Sequence, residues 1–164
     1  MSVPVRLLKI LLVLCVGFQA LFYAMQNLVN IDAAYDAVAL VLGMEGHEVY
    51  PRHFAAPVTW PPLVALALAL VVLGEMISAM LCLKGAIDMG RRLRDPAARF
   101  EGSKQWAVLG CGVAVIVWLG LFMAIGGAWF QMWQTELGAG SLEGAFMYAV
   151  SSAIVMIFVH MPDA

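Results

Sequence analysis

Long apolar runs alternate with polar stretches along the chain. Four runs are long enough to matter: residues 7–25, 61–83, 105–127 and 144–161. A membrane span needs about 20 mostly apolar residues to cross a hydrocarbon core of roughly 30 Å. The pattern predicts an all-α integral membrane protein, a four-helix bundle in a single four-span domain over residues 1–164. A long loop (26–60), a charged loop (84–104) and a short loop (128–143) separate the runs. In the long loop, Tyr35, Val38, Ala39 and Leu42 recur at i, i+3, i+4 and i+7, giving one apolar helix face. Asp32 is placed to cap this short helix. It is too short to span, so it is expected in the interface or folded over the bundle mouth. Thr59 is expected to cap the second span, with Pro61 and Pro62 in its first turn. That helix should run on to about Arg94 and stop at Asp95-Pro96.

Each span gathers small or polar residues on one side of a helical wheel. The second carries Ala67, Gly74, Glu75, Ser78, Cys82 and Gly85; the third Ala107, Gly110, Cys111 and Ala114. The fourth carries Ala145, Ala149, Ser152, Ala153 and Met156, and the first Cys15, Gln19, Phe22, Tyr23 and Gln26. Membrane helices pack through small residues because lipid provides no hydrophobic drive between them. These faces are expected to point inward, with Leu, Val, Ile and Phe on lipid. The wheel leaves open the alternative that one small face binds another subunit.

Composition removes a water-soluble fold from consideration. Hydrophobic residues make up 63% and charged residues 12% of the 164 positions, against roughly 45–50% and about 25% in soluble domains. So few charges do not cover a solvated surface. The net charge of −2 leaves no basic footprint for nucleic acid. Orientation follows from Lys and Arg, which favour the cytoplasmic side. Arg6 and Lys9 precede the first span, and Lys84, Arg91, Arg92, Arg94, Arg99 and Lys104 fill the charged loop. Only Arg52 falls on the other side of a four-span chain, together with Asp32, Asp36, Glu45, Glu48, Glu136 and Glu143. Both termini are therefore expected in the cytoplasm, in a bacterial inner membrane. The basic loop reads as a topology determinant. The first run is longer than a typical signal-peptide core and lacks a small-residue cleavage site, so it is read as a retained helix. Trp60, Trp129 and Trp133 mark the outer interface and Trp106 the inner one.

One buried acid interrupts this pattern. Glu75 lies nine residues before Lys84, about 13 Å from the inner interface at 1.5 Å per residue, near the midplane. A carboxylate there costs roughly 2.5–3.5 kcal/mol on insertion scales. Eleven Leu, Val or Ile residues between Leu63 and Leu83 offset it, so the helix inserts and the acid seeks a partner. Gln19, Cys15, Ser151 and Ser152 are the candidates at similar depth, and Glu75 is expected to be protonated. Three readings stay open: a proton or cation site in a carrier, a neutral hydrogen-bonded clamp between helices, or a docking point for a cation on another subunit. A lone ionisable group weighs against the carrier.

Other chemistry is sparse. His47 and His53 lie near Glu45 and Glu48, but the H-x₅-H spacing matches no strong zinc pattern, so solvated loop residues are expected and no metal site. Haem would need histidines inside the spans, and only His160 lies near one. No cofactor is expected. The three cysteines read as small apolar residues. No nucleophile motif, phosphate loop or H-E-x-x-H is present, so an enzyme is not expected.

The third span and its continuation read K-Q-W-A-V-L-G (Lys104–Gly110) and I-G-G-A-W-F-Q-M-W-Q (Ile125–Gln134). With Glu75, the K-G-A of Lys84–Ala86, the L-L-K-I of Leu7–Ile10 and Gln26-Asn27-Leu28, the chain resembles the bacterial small integral membrane proteins of domain-of-unknown-function family 2165. The resemblance implies an acid after the glycine pair, where this chain carries Ala128. It implies topology and no activity. The function expected is an accessory or interaction subunit, packing through small-residue faces and the segment holding Gly126, Gly127, Trp129, Phe130 and Trp133. In it, Gly126-Gly127 would let the chain turn. The expected partners are the lipid bilayer and another membrane subunit or further copies of the chain. The alternative is a proton- or cation-coupled carrier using Glu75.

Overall fold

Six α-helices, in a computed structural model that describes residues 2–50 and 52–163, build the molecule. They are α1 (Val3–Val29), α2 (Ile31–Leu42), α3 (Pro61–Arg91), α4 (Ala97–Gly102), α5 (Gln105–Val115) and α6 (Glu136–His160). A π-helix (Ile116–Trp129) continues α5, and a 3₁₀ turn (Met132–Gln134) leads into α6. Four helical stretches are long and apolar enough to cross a membrane: Val3–Val29, Pro61–Arg91, Ala97–Trp129 and Glu136–His160. The described residues contain no strand.

Small residues set the helix spacing. A Cβ on Gly17 of α1 would lie 2.9 Å from Cys82 Cβ, and one on Gly110 of α5 would lie 2.6 Å from the Cys82 backbone nitrogen. Gly85 abuts Ala107, and Gly74 abuts Val117. Ala114, Ala145 and Ala149 are buried, and Ala153 is half-buried. The small faces thus meet one another inside the bundle. Leu66, Leu70, Leu73, Ile77, Ile116, Ile154 and Ile157 stay exposed, as side chains facing lipid do.

The structure departs from the wheel on α1. Its packed stripe is Val13, Val16, Gly17, Ala20 and Ala24, while Cys15 and Phe22 face outward and Gln19 is half-buried. Gly17 and the alanines let the backbone approach α3, which Phe22 cannot. The pairing also shifts α1 toward the basic end: Arg6 reaches Leu93, Gly17 meets Cys82, and Asn27 meets Glu75. The fourteen residues of α3 before Glu75, about 21 Å, therefore lie beyond Asn27, near the end of α1. Part of that length is covered by α2, whose Leu42, Val38 and Ala39 pack with Val64 and Ala67.

Four boundaries also differ. Asn30, not Asp32, precedes α2 and makes no side-chain cap, and Asp32 lies in the first turn. Trp60, not Thr59, precedes α3 and makes no side-chain cap; prolines in the first turn leave fewer N–H groups to satisfy. That helix ends at Arg91, and Pro96 begins the short α4. The third span is α-helical only to Val115. Beyond it the wider π turn spaces the inward positions as Val117-Trp118, Phe122 and Gly126-Gly127, which a 100° wheel does not place on one face.

Candidate functional site

Glu75 is 2% exposed, inside the bundle on α3. Asn27 Nδ2 on α1 donates to its Oε2 at 3.1 Å. Beside the pair, Tyr23, Trp118 and Tyr148 form an aromatic triad with centroid separations of 5.0–6.4 Å, and the two tyrosine hydroxyls share a hydrogen bond. One turn along α3, Ser78 Oγ donates to the Gly110 carbonyl at 3.0 Å.

None of the partners expected for Glu75 holds it. Ser151 is exposed and donates to the Tyr148 carbonyl of its own helix at 3.1 Å. Ser152 is buried with an unpartnered hydroxyl. Gln19 and Cys15 make no hydrogen bond to the acid. Comparing depths from the ends of apolar runs missed Asn27, because α1 is displaced along α3. The signal was the small stripe itself: Gly17, Ala20 and Ala24 lead to residue 27 at helical spacing.

Toward the aromatic end lies a cavity of about 200 Å³. Val38 and Val41 of α2, Ala67 and Val71 of α3, and Phe122 and Gly126 of the π-helix line it. Val71 stands one turn from Glu75.

Beyond Trp129 the chain reverses at Gln131, whose φ is +53°. Gly126 and Gly127 are not the turn. They remain helical and buried, where a Cβ would lie 2.8 Å from Met132 Sδ or 2.7 Å from Leu142 Cδ2. Gln134 Oε1 accepts hydrogen bonds from Val49 N at 2.9 Å and Tyr50 N at 3.0 Å. Tyr50 meets Trp133 edge-on at 5.3 Å, and Phe54 packs on Trp129 at 5.6 Å. Phe130 is buried against Leu42, Met44 and Val64. The segment after α2 is thus fastened to the turn before α6, leaving Trp129, Phe54, Trp60 and Tyr50 exposed.

His47 and His53 are partly buried in this layer rather than solvated, their rings 5.7 Å apart. Burial, then the His53 ring, lowers the His47 pKa below its usual value.

The basic end departs furthest from the sequence reading. Arg6, Lys9 and Lys104 are buried, which no reading of them as topology charges anticipates. Lys9 Nζ donates to Asp163 Oδ2 at 2.9 Å and to the Met161 carbonyl at 2.7 Å. Lys104 Nζ donates to Met161 O at 2.8 Å and Glu101 Oε1 at 2.9 Å, and pairs with Asp163. Arg6 donates to the Leu93 and Asp95 carbonyls and lies over Phe100, 4.6 Å from the ring centre. Burial opposes ionisation of Asp163, but hydrogen bonds from Lys104 and Lys9 and their charges outweigh it, holding its carboxyl below 3.8.

Four long apolar helices, packed through small residues around the buried Glu75, define an integral membrane protein. The chain belongs to the family described as predicted small integral membrane protein, domain-of-unknown-function family 2165, which matches residues 5–162. No curated protein and no solved structure matches it.

Proposed function

We propose that the protein is a non-enzymatic interaction subunit of the bacterial inner membrane, with both termini cytoplasmic, that presents its aromatic end to another membrane protein. The observation that carries this reading is the fastened aromatic layer. Trp129, Phe54, Tyr50 and Trp60 are 50–75% exposed, yet Gln134 and ring contacts hold the segments that bear Trp129, Phe54 and Tyr50. Trp and Tyr sit at the membrane–water interface in any span, and aromatic groups held on an ordered frame there are also suited to contact a partner. The small-residue faces contribute by closing the bundle, since Gly17, Gly74, Gly85 and Gly110 are each occupied by a neighbouring helix. Arg6, Lys9, Lys104 and the arginines near α4 support the orientation through the positive-inside bias.

The test is a mild-detergent pull-down of the tagged protein with mass analysis of the complex. A stoichiometric second protein, lost when Trp129 and Phe54 are changed to Ala, supports the reading. Recovery of the chain alone at native expression counts against it.

A second reading, proton- or cation-coupled carriage through Glu75, has one observation in its favour: the buried acid has Asn27 as its side-chain hydrogen-bond donor and stands one turn below the cavity. It predicts flux in proteoliposomes that Glu75→Gln abolishes without unfolding the protein.

A further inference from the structure

We propose that His47 and His53 form a two-histidine binding site for a borderline transition-metal ion, Zn²⁺ or Cu²⁺, at the aromatic end of the molecule. Both ring nitrogens of His47 and Nδ1 of His53 are buried without a hydrogen-bond partner in the protein. Burying a polar atom without a partner is unfavourable, and three such atoms are concentrated on two touching rings. The ring centroids are 5.7 Å apart and the planes inclined at 65°. With metal–nitrogen bonds of about 2.0–2.1 Å, two imidazoles on one ion have centroids about 5–6 Å apart. The separation accommodates a shared ion as well as plain ring contact, and imidazole pairs favour zinc, copper and nickel over calcium or magnesium.

Neighbouring contacts hold the pair. Gln134 fixes Val49 and Tyr50 between the two histidines, and Trp129 holds Phe54 directly after the second. Before the first, Met44 and Gly46 take positive φ values of 53° and 76°, which turn the chain back toward α6. No group of three or more His, Cys, Asp or Glu that could hold an ion occurs among the described residues. The protein supplies two ligands and solvent supplies the rest, so the ion is exchangeable rather than structural.

Isothermal titration of the full-length protein in detergent with Zn²⁺ tests the site, with Mg²⁺ as the control ion. The expected result is one equivalent bound, weakened at least tenfold by His47→Ala and by His53→Ala and unchanged by His160→Ala. Electron paramagnetic resonance of the unaltered protein with one equivalent of Cu²⁺ reads the ligands independently of any folding defect, and two coupled imidazole nitrogens are expected. Absence of Zn²⁺ binding, binding indifferent to both variants, or a copper spectrum with fewer than two imidazole nitrogens overturns the proposal.

Discussion

Glu75 takes a side-chain hydrogen bond from Asn27, and that pairing sets what each substitution costs. Glu75→Gln keeps a carbonyl acceptor for Asn27 and removes any charge, so the fold should survive with little change in thermal midpoint. Asn27→Ala instead strands a buried acid, and should lower stability by about 1–3 kcal/mol. Denaturation of the two variants in detergent compares them directly. The ordering should reverse if Glu75 is held mainly by something other than Asn27. Gln134 acts on backbone instead. Its Oε1 satisfies the amides of Val49 and Tyr50, so Gln134→Ala should speed hydrogen exchange at those two amides. The four spans should retain their protection, because no helix ladder uses that side chain.

Helix contacts are most sensitive where backbones approach. A methyl at Gly110 would lie 2.7 Å from Cys82 Sγ and closer still to the Cys82 backbone nitrogen. The backbone does not yield as a side-chain tip does. Gly110→Ala is therefore expected to destabilise by about 1–3 kcal/mol through overpacking. Gly90→Ala meets no atom within 4 Å and should be neutral or mildly stabilising, since alanine is the better helix former. Unfolding midpoints of the pair in one detergent decide the matter. Close approach also explains the faces on each helix. Gly74, Cys82 and Gly85 on α3, and Gly110 and Ala114 on the third span, lie inside as their spacing predicts. On α1 the wheel selected polar and aromatic residues, whereas packing selected Gly17, Ala20 and Ala24, because steric fit and not polarity decides which face another helix accepts. The π-helical half of the third span has no signature in apolar periodicity, so its register was not legible.

At the scale of the whole molecule, the ion cluster at the basic end ties α1, the start of α5 and the segment after α6 together. Asp163 is ionised with its carboxyl below 3.8 through Lys104 and Lys9. A depressed carboxyl stabilises the fold above its unfolded value and loses that contribution as pH falls through its folded value. Asp163→Asn should therefore lower the thermal midpoint at pH 7, and the gap between variant and parent should shrink as pH falls through the lowered carboxyl value. An equal gap at all pH values would mean the carboxylate charge contributes nothing. By itself the sequence determined the class, the four spans and the split between basic and acidic ends, because apolar length and charge bias are properties of composition and order. It also placed Glu75 within the membrane. Tertiary structure alone decided that α1 slides toward the basic end, that Asn27 rather than Gln19 meets the acid, that Arg6, Lys9 and Lys104 converge on Asp163, and that His47 touches His53. Each depends on how one helix or loop is set against another, and that is fixed by shape at close approach, which no periodicity along a single segment records.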